Sequence, residues 1–178
     1  MELTNLMTTG LAGATVAGQV VILIWVTAFI FRRSGWGKVV LDFTQKRGVM
    51  IAFVAAAGAM FGSLFYSEIA GYEPCKLCWI QRVFMYPQAF ILGMALWVGE
   101  GRRIAKYAIM LSGLGAVVAA FHYYEQVTAS LLVPCSAIGY AVSCTEKFFM
   151  SFGYITIPMM ALTAFGLIIV GSLAARQE

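Results

Sequence analysis

Five long apolar stretches, at residues 10–31, 49–66, 79–98, 104–121 and 149–173, constrain this chain more than any other feature of its sequence. A helix rises about 1.5 Å per residue, so about 20 apolar residues are needed to cross the roughly 30 Å hydrocarbon core of a bilayer. Hydrophobic residues make up 61% of the chain and charged residues 11%, and the mean hydropathy is +0.85. This composition predicts a protein that lies largely within a lipid bilayer.

Lipid offers no hydrogen-bond partner to the backbone, so the five stretches are predicted to be helices of an all-α membrane protein. The third stretch carries Arg82 near its start and Pro87 inside it, and a kink that frees the carbonyl of Val83 is expected there. The first stretch is interpreted as a retained anchor because the residues before it lack the basic region of a cleavable signal peptide.

The basic residues predict the orientation of these spans. Nine of the twelve basic residues fall between spans one and two, between spans three and four, or after span five. They are Arg32, Arg33, Lys38, Lys46, Arg47, Arg102, Arg103, Lys106 and Arg176. The positive-inside rule places these segments and the C-terminus in the cytoplasm and the N-terminus outside. The net charge of +4 therefore reports topology and requires no nucleic acid partner.

All four cysteines then fall on the outer side of the membrane. Cys75 and Cys78 follow the second span, and Cys135 and Cys144 lie in the loop between the fourth and fifth spans. No cysteine occurs elsewhere in the sequence. An oxidising compartment makes thiol and disulfide chemistry the first function to consider.

The segment "EPCKLCWIQR" favours redox chemistry at the first pair. Pro74 ends an extended approach, so Cys75 to Cys78 are expected to form the first turn of the third span, where backbone amides and the helix dipole lower a thiol pKa. Arg82 follows Cys78 by four residues, about one turn or roughly 6 Å deeper on the same face. This spacing predicts a thiolate and a guanidinium on one face of the helix.

Simpler interpretations remain open at this point. The first pair could be a structural disulfide, although a two-residue loop constrains the unfolded chain very little. Four cysteines could hold zinc, although an oxidising loop is a poor place for four thiolates. Arg82 could be an interfacial arginine whose charge reaches water, and His122, the only histidine, stands among tyrosines where packing is the commoner role.

Several motifs between residues 53 and 170 resemble the DsbB/BdbC family of membrane disulfide oxidoreductases, in its shorter-loop branch. The matching segments are "GSLFYSEI", "PCKLCWIQRVFMYP", "HYYEQ", the "PC" and "SC" of the second loop, and "FGYITIP". The resemblance implies a four-helix transmembrane bundle of DsbB type at residues 49–178, with two cysteine-bearing extracytoplasmic loops. Residues 1–48 form an extra N-terminal transmembrane helix and a basic cytoplasmic loop in this interpretation.

The resemblance also implies an activity and a set of site residues. A DsbA-like thioredoxin-fold partner is expected to react at Cys135, Cys144 to attack Cys75, and the reduced first pair to pass two electrons to a quinone, ubiquinone or menaquinone, in the bacterial cytoplasmic (inner) membrane. Arg82 and Cys78 are the expected quinone contacts, with His122 and Glu125 as further candidates. No metal is implied.

The sequence departs from some family members at Gln126, where they have histidine after the glutamate. Two alternatives to the leading interpretation stay open. An enzyme resembling vitamin K epoxide reductase shares the chemistry but places its Cys-x-x-Cys after the loop pair, so the order of cysteines opposes it. A membrane scaffold whose disulfides only join its outer loops is the alternative that is not an enzyme.

Overall fold

The computed structural model describes residues 2–128 and 143–176, which fold as an all-α bundle. Its five α-helices are α1 (Glu2–Ile30), α2 (Gly35–Leu64), α3 (Lys76–Val98), α4 (Gly101–Thr128) and α5 (Ile157–Ala175). A short π-helical segment, Phe65–Ile69, extends α2 at its C-terminal end. The predicted all-α membrane fold is confirmed.

Four of these helices are long and apolar enough to cross a membrane: α1, α2 with its π-helical extension, α4 and α5. The remaining helix, α3, has 23 residues but is less apolar than the other four. It carries two glutamines, Arg82 and an internal Pro87. It packs against α2 and α4 within the bundle. Hydropathy therefore located α3 correctly, and two of the polar residues that weaken its hydropathy, Gln81 and Arg82, belong to the site described below.

Two predicted boundaries are wrong. The last helix begins at Ile157 and not near residue 149, because Ser151 and Ile155 pair across a tight turn in which Phe152 and Gly153 have φ values of 52° and 79°. A hydropathy profile does not distinguish the apolar side chains of this turn from those of a helix. At the other end, most of the predicted basic loop is helical, since Ser34 accepts a hydrogen bond from the Gly37 amide at 3.1 Å and caps α2.

Glycines bring the helices of the bundle into close contact. A Cβ atom at Gly48 of α2 would collide with the carbonyl oxygen of Gly171 of α5, and a Cβ at Gly171 would collide with that of Gly48. The ring of Phe165 on α5 likewise lies against Gly115 of α4. In lipid, where helices gain little from the hydrophobic effect, this kind of backbone approach is what holds them together.

Gly48→Ala is expected to destabilise the bundle by about 1–3 kcal/mol, because overpacking forces α2 and α5 apart. The measurement is the melting temperature of the purified protein in detergent. Gly113→Ala is the matched control, since a Cβ at Gly113 of α4 meets no atom within 4 Å and alanine is the better helix former. Equal melting temperatures for the two variants would contradict the assigned α2–α5 contact.

Candidate active site

The first cysteine pair lies at the start of α3, as predicted. Cys75 is the N-cap residue, with φ and ψ of −69° and 171°, and its Sγ accepts a hydrogen bond from the Cys78 amide at 3.4 Å. The two Sγ atoms are 3.1 Å apart, and both residues are free thiols in the structure. The helix therefore directs a backbone donor at Cys75, the position that favours a negative charge.

The pKa of the Cys75 thiol is lowered from its ordinary value of 9.0 to about 4, chiefly by the hydrogen bond from the Cys78 thiol. Burial opposes the shift, while His122 and the Cys78 amide reinforce it. The spacing predicted a thiolate on the face that Cys78 shares with Arg82; in the structure it is the pKa of Cys75 that is lowered, and the Cys78 amide donates to its Sγ. Because this pKa is lowered on folding, the thiolate stabilises the reduced protein fully above about pH 9, and the contribution is lost as the pH falls towards 4.

Cys78→Ala should raise the pKa of Cys75 substantially, because it removes the donor with the largest effect. Cys78→Ser keeps an O–H donor at the same place and should leave the pKa of Cys75 well below that of the alanine variant. The measurement is the ultraviolet absorbance of the thiolate against pH, with the second pair left oxidised. If the alanine and serine variants both titrate near pH 4, the donor is not Cys78.

His122, on α4, contacts one residue of each cysteine pair. Its Nε2 atom lies 3.6 Å from Cys75 Sγ and 3.2 Å from the carbonyl oxygen of Cys144, and its Nδ1 atom lies 2.9 Å from the side-chain nitrogen of Gln81. A carbonyl oxygen can only accept, so the proton is on Nε2, and the Gln81 amide donates to Nδ1. Both contacts specify the same tautomer, a neutral imidazole whose N–H points at Cys75 and Cys144.

Cys144 is disulfide-bonded and buried in the same cluster as Cys75 and Leu77. Cys135, the other predicted cysteine of the second pair, lies outside the described residues. Glu125, one turn beyond His122, is fully buried. Its neighbour Gln126 donates a hydrogen bond to the carbonyl oxygen of Glu146 at 2.9 Å.

Stacked aromatic rings connect the segment before α3 with the segment before α5. The rings of Tyr72 and Phe148 are stacked with centroids 4.5 Å apart, and those of Tyr66 and Phe149 are 5.3 Å apart. Tyr72 precedes Cys75 and Phe148 follows Cys144, so the stack lies beside the cysteines. Together with Gln126 these rings hold the described end of the second loop, residues 143–149, against the start of α3.

Arg82 is tied to α2 and to aromatic rings. Its Nε and Nη2 atoms donate to the hydroxyl and carbonyl oxygens of Ser63 at 3.0 and 3.2 Å, and its guanidinium lies over the rings of Trp79 and Tyr86 at 5.2 and 5.9 Å. Tyr86 also donates to the Ser63 hydroxyl at 3.2 Å. These contacts hold the arginine within the bundle, whereas an arginine that only reaches for water would need none of them.

Cys78 and Arg82 line one end of a cavity of about 950 Å³, which lies between α1, α2, α3 and α5. The remaining lining is mainly apolar, and a ring bound at this end would meet the Cys78 thiol, the Arg82 guanidinium and the rings of Tyr66 and Tyr86. These residues therefore fit a quinone, since arginine donors and aromatic faces suit a planar ring that bears carbonyl oxygens.

Cys75, Cys78 and His122 lie close enough together to be considered as ligands of a metal ion. Donor atoms of Cys75, Cys78 and His122 lie within 4.8 Å of one another. However, Nε2 of His122 carries the proton and Nδ1 accepts from Gln81, so neither nitrogen presents a lone pair to an ion. The arrangement is that of a hydrogen-bonded thiol pair.

The sequence interpretation missed three polar residues that orient this site: Gln81, Ser63 and Gln126. Gln81 is buried and fixes the tautomer of His122, and Ser63 holds Arg82. Each one lies in or beside an apolar helix, where a polar side chain has few partners and commonly marks a site. That signal was present in the sequence, but it does not say which residues meet.

A helical membrane bundle that places a Cys-x-x-Cys pair and a disulfide-bonded cysteine against one buried histidine defines a membrane thiol–disulfide oxidoreductase. The family model "Disulfide bond formation protein DsbB" matches residues 45–175. This chain belongs to the DsbB family of membrane disulfide bond formation proteins.

Curated relatives agree with the family. Disulfide bond formation protein C of Bacillus subtilis is 42% identical over 121 residues, which is 67% of this chain and 85% of the relative. A probable disulfide formation protein C 1 of Bacillus anthracis is 41% identical over 121 residues, 68% of this chain and 86% of the relative. A prophage-derived disulfide bond formation protein B of Bacillus subtilis is 40% identical over 120 residues, 67% of this chain and 78% of the relative. No solved structure matches the chain.

Proposed function

We propose that this protein reoxidises an extracytoplasmic DsbA-like thioredoxin-fold protein and passes the electrons to a membrane quinone. One observation carries the proposal: His122 contacts both the Cys75 thiol and the Cys144 carbonyl, so residues of the two cysteine pairs share one buried site. Disulfides that only join loops need no such contact. A path for electrons between the two cysteine pairs requires the pairs to lie close together.

The first steps exchange disulfides. A thiolate of the reduced partner attacks Cys135 of a Cys135–Cys144 disulfide, which forms a mixed disulfide and releases Cys144 as a thiolate. Cys144 then attacks Cys75 of an oxidised first pair, breaking the Cys75–Cys78 bond and releasing the Cys78 thiolate. The second thiol of the partner displaces Cys135, and Cys135 attacks Cys144 to restore the second disulfide and free Cys75. In sum, one partner dithiol becomes a disulfide and the first pair becomes a dithiol.

The chain favours release of Cys75 because its thiolate is stabilised by the Cys78 thiol, the backbone amide and the Nε2–H of His122. Cys78 lines the cavity, so the first pair can deliver its electrons there. A bound quinone supplies an acceptor of two electrons and two protons. Arg82 would orient its ring and offset negative charge.

The proposed orientation places both cysteine pairs and the N-terminus outside the cytoplasm. A membrane-impermeant thiol reagent applied to intact, reduced cells should label the cysteines of the second loop and spare a cysteine introduced by Ser34→Cys, because Ser34 lies in the basic connection between α1 and α2. Permeabilised cells provide the control in which both are labelled. Labelling at position 34 with protection of Cys135 would reverse the orientation.

Purified protein tests the proposed function directly. A reduced thioredoxin-fold protein and a quinone are mixed with catalytic amounts of this protein, and loss of partner thiols and quinone absorbance are followed together. One quinone should be reduced for each partner disulfide formed, and Cys75→Ser and Cys144→Ser should both abolish the coupled reaction. A protein whose disulfides are structural, the alternative that is not an enzyme, would leave both signals flat.

A further inference from the structure

The helix α1 lies outside the family match at residues 45–175, yet it is specifically docked on the bundle. Gln19 donates to the hydroxyl of Thr163 at 3.2 Å and accepts a hydrogen bond from Tyr154 at 2.7 Å. Near its outer end, Tyr66 donates to Thr8 at 3.4 Å. Amide hydrogen bonds of this kind within apolar surroundings fix the rotation of a helix, so the face that α1 presents to the bundle is defined.

That face forms one wall of the 950 Å³ cavity that ends at Cys78 and Arg82. On α1 the lining runs from Leu11 to Trp25, and on α2 it runs from Val39 to Ser63. At about 1.5 Å per residue, the lined part of α2 is about 36 Å long, comparable with the thickness of a bilayer core. The cavity is therefore a long channel and not a compact pocket for a ring alone.

The chemistry of the lining changes along this length. Arg82 is the only charged residue among the described residues that line the cavity, and it lies at the same end as Cys78. Away from that end the walls are mostly aliphatic and aromatic, and some lining side chains are open to the outside of the bundle, as shown by exposures of 41% for Val21 and 60% for Val54. The walls thus suit a ligand with one polar ring and a long apolar chain that enters from lipid.

We propose that α1 completes a binding channel for the isoprenoid tail of the quinone. This inference rests on the proposed function, because the head of the same quinone occupies the end formed by Cys78 and Arg82. The tail lies between α1 and α2, where it buries apolar surface along the cavity and holds the ring beside the thiol. A helix absent from the family match thus extends the quinone site of this chain.

Two substitutions narrow the channel without touching its polar end. Ala17→Phe adds a ring on the lining face of α1, and Gly58→Leu adds a side chain where a Cβ meets no atom within 4 Å. Val20→Phe is the matched control, because Val20 lies on α1, is 48% exposed and is not part of the lining. Melting temperatures establish that each variant keeps the fold.

Equilibrium binding is measured with a long-tail quinone and with its tail-less analogue, by quenching of tryptophan fluorescence. Ala17→Phe and Gly58→Leu are expected to raise the Kd of the long-tail quinone about tenfold or more and to leave that of the tail-less quinone unchanged. Val20→Phe should change neither. Equal effects on both quinones, or no effect on either, would overturn the proposal. Such a result would indicate that lipid chains, and not the quinone tail, occupy the channel.

A long-tail quinone with a photoreactive group at the end of its tail gives a second measurement. Its expected labels fall at the far end of the channel, on peptides that contain Trp25 or Val39. Labels confined to the outer end near Cys78 would contradict a tail that follows α1. If wild-type protein reduces the tail-less quinone but the labels miss the channel, only this inference fails; if it reduces neither quinone, the proposed function fails with it.

Discussion

Cys144→Ser is expected to accumulate a covalent complex between Cys135 and the thioredoxin-fold partner and to lower turnover by on the order of 10³ or more. In this variant Cys135 is a free thiol, so it forms the mixed disulfide by attacking the disulfide of the oxidised partner and releasing the partner's second thiol. The thiolate of Cys144, which would displace the partner and pass electrons to Cys75, is absent. Cys144 shares a buried cluster with Cys75, and its carbonyl oxygen accepts from His122, so no other described residue of the second loop is as well placed to act. The complex is measured on a non-reducing gel.

The control for this trap is Cys135→Ser, which should form no complex with the partner. Reduction with dithiothreitol must release the adduct, and mass spectrometry of the joined peptides must locate it at Cys135. A complex that accumulates in Cys135→Ser and not in Cys144→Ser would show that the two cysteines have the opposite roles.

Arg82→Gln is expected to raise the KM for quinone and slow reoxidation of the first pair by about 10- to 100-fold, while exchange between the partner and the second pair stays near normal. The substitution removes the charge at the polar end of the cavity and leaves a shorter, uncharged side chain that can still donate a hydrogen bond. Arg82→Lys should recover only part of the activity, because a point charge lacks the planar fork that donates to both oxygens of Ser63. Stopped-flow oxidation of the reduced protein by quinone provides the rates.

The matched control for Arg82 is Lys76→Gln, which also removes one positive charge near the start of α3 but at an exposed position outside the cavity lining. It should leave the KM for quinone unchanged. Ser63→Ala separates charge from position, since it keeps the guanidinium but removes the hydroxyl that accepts from Arg82 Nε and from Tyr86, and an intermediate effect is expected. If folded Arg82→Gln has wild-type quinone kinetics, Arg82 serves only the packing of α3 on α2.

Hydropathy predicted the helices of this fold because lipid requires apolar residues over a fixed length, but it could not predict where they end. Residues 149–156 are mostly apolar, yet Ser151 to Ile155 form a turn, because Phe152 and Gly153 have positive φ values that hydropathy does not record. Residues 35–48 include basic side chains and are nevertheless helical, because a serine cap and the long amphiphilic stems of lysine and arginine suffice at a membrane surface.

The candidate site was predictable where neighbours in sequence form it and not where separate helices meet. The position of Cys75 and Cys78 in the first turn of α3 followed from Pro74 and the Cys-x-x-Cys spacing. The contact of His122 with Cys75 joins residues 47 positions apart, and nothing in the sequence distinguishes it from an interfacial packing histidine. The same limitation applies to the thiol pair, since only the structure reveals that the two Sγ atoms lie 3.1 Å apart and that the Cys78 amide donates to Cys75 Sγ.

The proposed electron path between the two cysteine pairs runs through Cys144 and Cys75, and isolating those two thiols tests it. In the double variant Cys78→Ser with Cys135→Ser, mild oxidation should form an intramolecular Cys75–Cys144 disulfide in most molecules, identified by mass spectrometry of the joined peptides. The matched double variant Cys75→Ser with Cys135→Ser leaves Cys78 and Cys144, and should form far less. Failure of Cys75 and Cys144 to join, or equal yields from the two variants, would contradict the account.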